Sequence, residues 1–369
     1  MKKKIFAAIL AGTLAVTALA GCGAGTDSTA SADSTADSTA AEASGAETAS
    51  DKESTAEVDT SNASVTLKLA ATKASENYMY QGMEMFEQLV EQNSNGDISV
   101  ELYPASQLGG QTEIVEGMQM GTIEMAFLGP AVAESFLPEA GIPSMLFLAQ
   151  NEEHALKIWT ESEYAQKVLA DMETQLNIHT LDFCIEGTRT VWTTKEVTKL
   201  EDLNGVKLRV PEVPTFVNAF TNLGCSPTIM SMSEVYTGLQ TGIVEGLEND
   251  ISTILSNNFA DQCKYCYRTN HGVSLISFMI AQSVWDGLTE EQQSILSDAS
   301  AQACDMLNEE YYVQLAAAEE ELAADGVTFT TPTDEEYTKM QELVQPVIDE
   351  AIEGLATEED LEAMRSLAG

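Results

Sequence analysis

Apolar and polar residues alternate in SVTLKLA (64–70) and again in DISVELYP (97–104), which predicts two strands. Between them, NYMYQGMEMFEQLVEQNSNG (77–96) places its apolar residues at helical spacing and ends in Asn95-Gly96, a helix stop signal. QTEIVEGMQMGTIEMAFLGP (111–130) reads as a helix stopped by Gly121, then a strand ending at Gly129-Pro130. A helical pattern covers 152–176 and a strand-rich one covers 178–194. GVKLRV (205–210), TFVNAFTNLG (215–224) and SPTIM (226–230) then read as strand, helix and strand. Ser231-x-x-Glu234 predicts a capping box for a helix from Met232 to Gln240, and GIVEGLEND (242–250) follows as strand or loop. Strands and helices alternate with short connections, the signature of a parallel α/β sheet.

The C-terminal pattern is different. Thr289-x-x-Gln292 opens a helix that continues to Asp325-Gly326. At about 36 residues it would be about 54 Å long, enough to lie across two lobes and brace them. Thr333-x-x-Glu336 opens a further helix.

The N-terminus, MKKKIFAAILAGTLAVTALAGCG, has three lysines ahead of a short apolar run, Ile5 to Ala20. The run fits a signal-peptide core and is marginal for a membrane span, which needs about 20 apolar residues. Leu19-Ala20-Gly21-Cys22 resembles the lipobox of bacterial lipoproteins. That resemblance implies removal of residues 1–21 and lipidation of Cys22. Residues 24–63 are mostly Ser, Thr, Ala, Asp and Glu, with no aromatic residue and one larger aliphatic residue, Val58. They lack the apolar surface to offset ordering entropy, so 22–63 is expected to be a disordered acidic tether. The chain beyond it is long enough for two lobes.

Acidic residues number 59 against 17 basic ones, a net charge of −42. This argues against nucleic-acid binding, which needs basic patches, and against docking on an anionic bilayer by charge. The expected membrane contact is through the lipid anchor alone. Beyond Cys22 there are five cysteines, an odd number, and CKYC (263–266) has the spacing of a redox or zinc half-site. A zinc site would need a second ligand pair that the sequence does not offer, so no metal is expected and a buried thiol pair in a strand is favoured, with a Cys263–Cys266 disulfide left open. The sequence holds no GxSxG, Walker, HExxH or EF-hand pattern, and His154, His179 and His271 have no partner at ligand spacing. No catalytic residue and no cofactor is expected.

Only four residues are arginine: Arg189, Arg209, Arg268 and Arg365. Arg189 follows a strand in EGTRTVW, and Arg209 sits inside the strand GVKLRV. Both can reach one crevice at the carboxyl ends of neighbouring strands, where open α/β sheets bind ligands. A guanidinium offers a fork that matches a carboxylate. Alternatively, Glu186 and Glu212, each three residues away, pair with the arginines as structural ions. Spacing leaves both readings open.

The run GVKLRVPE…FTNLGCSPTIMSMSEVYTGLQTGIVEGLEN resembles the signature of DctP-type solute-binding subunits of tripartite ATP-independent periplasmic (TRAP) transporters. FEQLVEQNSNGDISVELYPASQLGG, EGMQMGTIEMAF and GTR (187–189) match the same family in the same order, and the resemblance spans about residues 65–330. It implies an α/β, two-lobed, periplasmic-binding-protein-like (Venus flytrap) fold with the long helix bridging both lobes. Lobe I would be 64–186 with 275–305, and lobe II 187–274 with 306–369. It implies a receptor, not an enzyme, that binds a small organic acid (a dicarboxylate, sugar acid or related carboxylate) and delivers it to TRAP membrane subunits driven by a sodium gradient. Arg209 would hold the ligand carboxylate, with Arg189 as second pocket arginine and Asn249 as orienting amide. Thr72 and Gly129 would line the pocket from the first lobe, Met232 would form an apolar wall, and Glu212 at the edge would accept hydroxyls or an amine. The chain departs from the family at Asn249-Asp250, where Asn-Pro is common. The expected protein is a monomer at the outer face of the cytoplasmic membrane. Other readings are a ligand-presenting receptor for a membrane sensor, a surface enzyme acting on acidic sugars, and a structural lipoprotein.

Overall fold

A computed structural model describes residues 58–368. The signal segment, Cys22 and the tether up to residue 57 lie outside the described residues. The elements run β1 (Val65–Ala71), α1 (Tyr80–Asn93), β2 (Ile98–Tyr103), α2 (Gln111–Gln119), β3 (Met125–Leu128), α3 (Glu152–Glu161), α4 (Glu163–Leu176), β4 (Ile178–Thr193), β5 (Lys207–Val210) and α5 (Pro214–Asn222). They continue with β6 (Ser226–Ile229), α6 (Met232–Thr241), β7 (Gly246–Asn249), α7 (Ile251–Ser256), β8 (Tyr265–Ala281), α8 (Gln282–Trp285), α9 (Glu290–Ala324), β9 (Thr328–Thr330), α10 (Asp334–Ile352) and α11 (Glu358–Arg365). Among the described residues, no helix is long and apolar enough to cross a membrane.

The strands form one sheet in the order β2-β1-β3-β8-β4-β7-β5-β6, with β9 beside β8. Each outer part is parallel, as the alternating pattern predicts. The centre is not, which corrects the expectation of a parallel sheet. β8 runs antiparallel to both β3 and β4, and β4 runs antiparallel to β7. β4 and β8, of 16 and 17 residues, are shared by both halves of the molecule. Their ladder carries register shifts at Ile185/Gly187 and Arg189/Val191. The missed signal was β8 itself, whose C-terminal seven residues are all buried and so show no alternation.

Two other expectations are revised locally. The helical pattern at 152–176 is two helices, because Ser162 is extended (ψ 137°) and caps α4 by accepting from the Ala165 N–H. Ser231 does start α6 but caps nothing, since its hydroxyl donates to the Glu234 carboxylate at 2.7 Å. The boxes at Thr289 and Thr333 form as predicted. At the end of α1, Asn95 and Gly96 take positive φ (51° and 79°), and a Cβ on Gly96 would lie 2.4 Å from the Asp59 carbonyl oxygen. That explains why glycine ends this turn.

α9 has 35 residues and braces two separate cores. Its first half buries Leu296, Ala299, Ala303 and Leu307 in a cluster with Phe86, Phe127 and Phe278. Its second half buries Ala318 and Leu322 with Trp192, Val244 and Leu247. The helix thus bridges both lobes. α1 fits closely against it at Gly82, where a Cβ would lie 2.4 Å from a Leu307 methyl. A disulfide between Cys184 and Cys304 joins β4 to α9, with Cα atoms 4.8 Å apart. The cysteine count alone did not reveal it. Cys263 and Cys266 are buried free thiols and not a disulfide, with Cys266 in β8 and Cys263 just before it, and Cys225 is a third. Burial pushes Cys263 and Cys266 up to about 12, so both remain protonated and inert at neutral pH.

Candidate functional site

A cleft of about 910 Å³, counting its open mouth, lies where the C-terminal ends of β1, β3, β5 and β7 meet the middle of β4 and β8. Thr72, Gly129, Arg189, Arg209, Met232 and Asn249 all line it, so the structure brings together six of the seven ligand residues expected from sequence. Glu212 is the exception. Its neighbours Pro211 and Val213 line the cleft, while the exposed Glu212 carboxylate accepts from Thr112 Oγ1 at 2.7 Å.

Arg209 is delivered by β5, whose Leu208 and Val210 are fully buried. The arginine is only 3% exposed. Its Nε donates to the Met230 carbonyl at 2.9 Å. Among the described residues no carboxylate lies within ion-pair distance of it. Burial pushes its guanidinium down to about 10, Glu248 offsets part of that, and Arg189 adds like-charge repulsion. The group stays charged at neutral pH and lacks an anion. Asn249, 3% exposed, turns its Oδ1 to the Asp250 N–H at 2.9 Å, which leaves its amide N–H pair for the cleft.

Arg189 is in the opposite situation. Its Nε and Nη2 donate to the two oxygens of Glu248 at 2.7 and 2.8 Å, a bidentate pair. Nη2 also reaches the Glu248 carbonyl at 3.2 Å, and Nη1 reaches Ser274 Oγ at 3.1 Å. The Phe216 ring lies 5.3 Å from its Cζ. Burial opposes the charge, but Glu248 outweighs it and holds the Arg189 guanidinium up. Glu248 is 0% exposed. Burial works to raise its carboxyl, yet Arg189 and a hydrogen bond from His271 hold it below the usual carboxylate range. His271 Nε2 lies 3.1 Å from Glu248 and Nδ1 lies 2.8 Å from Thr269 Oγ1. A carboxylate can only accept, so Nε2 carries the proton. Burial pushes the imidazole pKa down, against the pull of Glu248.

The alternative pairing of the arginines with Glu186 and Glu212 does not form. Glu186 makes a close ion pair with Lys73, whose Nζ also donates to Thr253 Oγ1 at 2.8 Å and lies 3.6 Å from Asp250. Burial pushes the Lys73 ammonium down, but Asp250 and Glu186 together raise it. Lys73, Glu186 and Glu248 are the functional residues that sequence reasoning missed or misassigned. Glu248 had a signal: an acid inside GLEN, a strand buried at all four positions, requires a buried cation.

Contacts cross the cleft from the N-terminal half of the sheet to the other half. Ser135 Oγ donates to the Glu212 carbonyl at 2.9 Å. The buried Glu134 accepts from the Thr215 N–H at 2.9 Å and from its hydroxyl at 2.8 Å, at the N-terminus of α5. Asn77 Nδ2 lies 3.3 Å from Ser252 Oγ and 3.1 Å from Ser256 Oγ.

Residues 69–354 match the family described as bacterial extracellular solute-binding protein, family 7 (DctP). A solute-binding protein of Roseobacter denitrificans is 31% identical over 265 residues, 72% of this chain and 81% of the relative. The C4-dicarboxylate-binding periplasmic protein DctP of Rhodobacter capsulatus is 28% identical over 300 residues, 80% of this chain and 88% of the relative. A TRAP periplasmic solute-binding protein from Roseobacter denitrificans, solved with bound L-galactonate, superposes with a TM-score of 0.74 at 28% identity. That match covers 83% of this chain and 99% of the other. The common frame is the two-lobed α/β fold with a cleft between the lobes, and this chain belongs to the DctP family of bacterial extracellular solute-binding proteins.

Proposed function

We propose that this protein is an extracytoplasmic receptor that captures a small organic acid in the cleft and delivers it to TRAP-type membrane subunits. The observation that carries the reading is Arg209, a buried cation with no carboxylate partner among the described residues, aimed into the cleft. The ligand carboxylate supplies that anion, and the free amide of Asn249 orients it. Arg189 shapes the same wall while Glu248 occupies its fork. No chemical step on the ligand belongs to this reading. Lipidation at Cys22 holds the monomer at the outer face of the cytoplasmic membrane.

The lobe boundaries expected from sequence, 186/187 and 274/275, serve as the hinge. Gly187 takes φ +142°, a conformation open to glycine, beside the register shift in the β4–β8 ladder. Closure is then a population shift favoured by a ligand that touches both lobes.

Thermal shift against a panel of organic acids and neutral sugars tests the reading, with Arg209→Lys and Arg209→Ala in parallel. Losing one partner of a buried charge pair costs about 2–5 kcal/mol, or tens- to thousands-fold in affinity. Lysine keeps the charge but lacks the fork, so both variants are expected to lose the shift produced by the acid. Mass spectrometry should recover the acid unchanged. Wild-type affinity in Arg209→Lys, or a response to neutral sugars alone, refutes the carboxylate role.

A further inference from the structure

Helix α5 has no cap of its own. Val213 stands at its N-cap position without a side-chain acceptor, and Pro214 opens the helix without an N–H. The N–H groups of Phe216 and Val217 both donate to the Val213 carbonyl, at 3.0 and 3.3 Å. That leaves the N–H of Thr215, a buried residue. A buried N–H needs an acceptor. This one finds Glu134 Oε1 at 2.9 Å, while the Thr215 hydroxyl donates to Glu134 Oε2 at 2.8 Å.

Glu134 comes from the other side of the cleft, in the short 3-10 helix Pro130–Ser135 that follows β3. It is buried, and among the described residues no lysine, arginine or histidine lies within ion-pair distance of it. Thr215 and the positive end of α5 compensate its charge instead. Burial pushes its carboxyl pKa up, and the bonds from Thr215 offset part of that. Lobe I builds the seat for this side chain. A Cβ on Gly141 would lie 2.4 Å from Oε2 and 2.6 Å from Cδ, so glycine leaves the carboxylate its room. The next residue extends the clasp, since Ser135 Oγ donates to the Glu212 carbonyl at 2.9 Å.

The clasp holds part of the cleft wall. Pro211, Val213 and Phe216 line the cleft, and the Phe216 ring lies 5.3 Å from Arg189 Cζ. They follow directly after Arg209 in the chain. Fixing the first turn of α5 therefore fixes the wall beside both arginines. Glu134 itself is not part of the cleft lining.

Resting on the receptor reading and its hinge, we infer that Glu134 is a positioning residue for ligand capture: lobe I supplies the cap of a lobe II helix, and only while the cleft is shut. Parting the lobes strips α5 of its cap. The clasp therefore holds the closed form together and slows ligand release without touching the ligand.

The test compares the mature protein with Glu134→Ala, Glu134→Gln and Gly141→Ala. Glutamine is the rescue variant: its oxygen accepts from the Thr215 N–H, and the Thr215 hydroxyl turns to accept from its amide. Gly141→Ala pushes the carboxylate off its seat and leaves Glu134 and lobe II unaltered, so it decides the matter even if Glu134→Ala does not fold. Succinate, malate, glucuronate, galactonate, gluconate and pyruvate serve as probes, with binding kinetics read by surface plasmon resonance. Pulsed electron paramagnetic resonance reads the distance between nitroxides at the exposed positions Glu116 of α2 and Thr221 of α5. Glu134→Ala and Gly141→Ala are expected to raise the dissociation rate about tenfold or more, with association unchanged, and to shift the distances toward the open form. Glu134→Gln is expected to keep most of the wild-type behaviour. A cap with a purely structural role would lower Tm and leave the distances alone. A wild-type dissociation rate in Glu134→Ala or in Gly141→Ala overturns the inference and leaves the acid receptor standing. If no probe binds the wild type, the receptor reading fails, and the distances alone decide the clasp: distributions unchanged in the variants overturn it.

Discussion

Glu248→Gln is the substitution whose effect follows most directly from the geometry. The amide is nearly isosteric, but it removes the charge from a residue that is 0% exposed and bound at both oxygens by Arg189. Arg189 is then a buried cation without an anion, beside Arg209, which already lacks one. Breaking a buried pair from one side costs about 3–5 kcal/mol. The 311 residues from 58 to 368, at about 2.1 cal/mol/K per residue, give an unfolding entropy of about 0.65 kcal/mol/K. The expected fall in Tm of the ligand-free protein is therefore about 5–8 °C, read by scanning calorimetry at pH 7.5. Because the damage is a stranded charge and not a lost contact, replacing both partners by methionine should recover most of the stability. A Tm within about 1 °C of wild type in Glu248→Gln, or a double variant as unstable as the sum of the singles, would refute the reasoning.

Two further outcomes follow from the same interior. His271 is buried with its pKa held below the ordinary value, so the unfolded state takes up a proton first as pH falls. Stability should decline from about pH 6.5 downward, and His271→Gln should remove that part of the slope in urea titrations; an unchanged slope argues against it. Glu248, held low, contributes stability above the usual carboxylate pKa that is lost only as pH falls through its own folded value. The Cys184–Cys304 bridge closes a loop with a sequence separation of 120. Replacing both cysteines by serine should cost about 2–5 kcal/mol, seen as a lower Tm that reductant no longer affects, and an unshifted Tm contradicts it.

The outer strands and most helices were legible because each carries a local signal: period-two alternation in 64–70, capping boxes at Thr289 and Thr333, and Asn95-Gly96 as a stop. The length of α9 was legible to within a residue, and its bridging role follows from that length. β8 was not legible, because a strand buried on both faces shows no alternation. The disulfide was hidden for a different reason, since a pairing across 120 residues depends on tertiary proximity and not on spacing. At the site, the motif pointed to Arg209, Arg189 and Asn249, which do line one cleft. It said nothing about which arginine was already taken. Glu248 decides that, and it lies 59 residues from Arg189 but on the strand paired with it.

The position of β8 in the chain also affects how the protein comes into being. It enters the sheet between β3 and β4, pairing Met125 with Ile280 and Ile178 with Ala281. Until residue 281 is available, both neighbours present open backbone edges, and contacts this distant in sequence form slowly. Gly272 to Ile276 of the same strand form part of the cleft wall. Ligand competence therefore arrives late and all at once, when β8 is inserted, and is not assembled lobe by lobe. A chain with this order stays open for most of its synthesis.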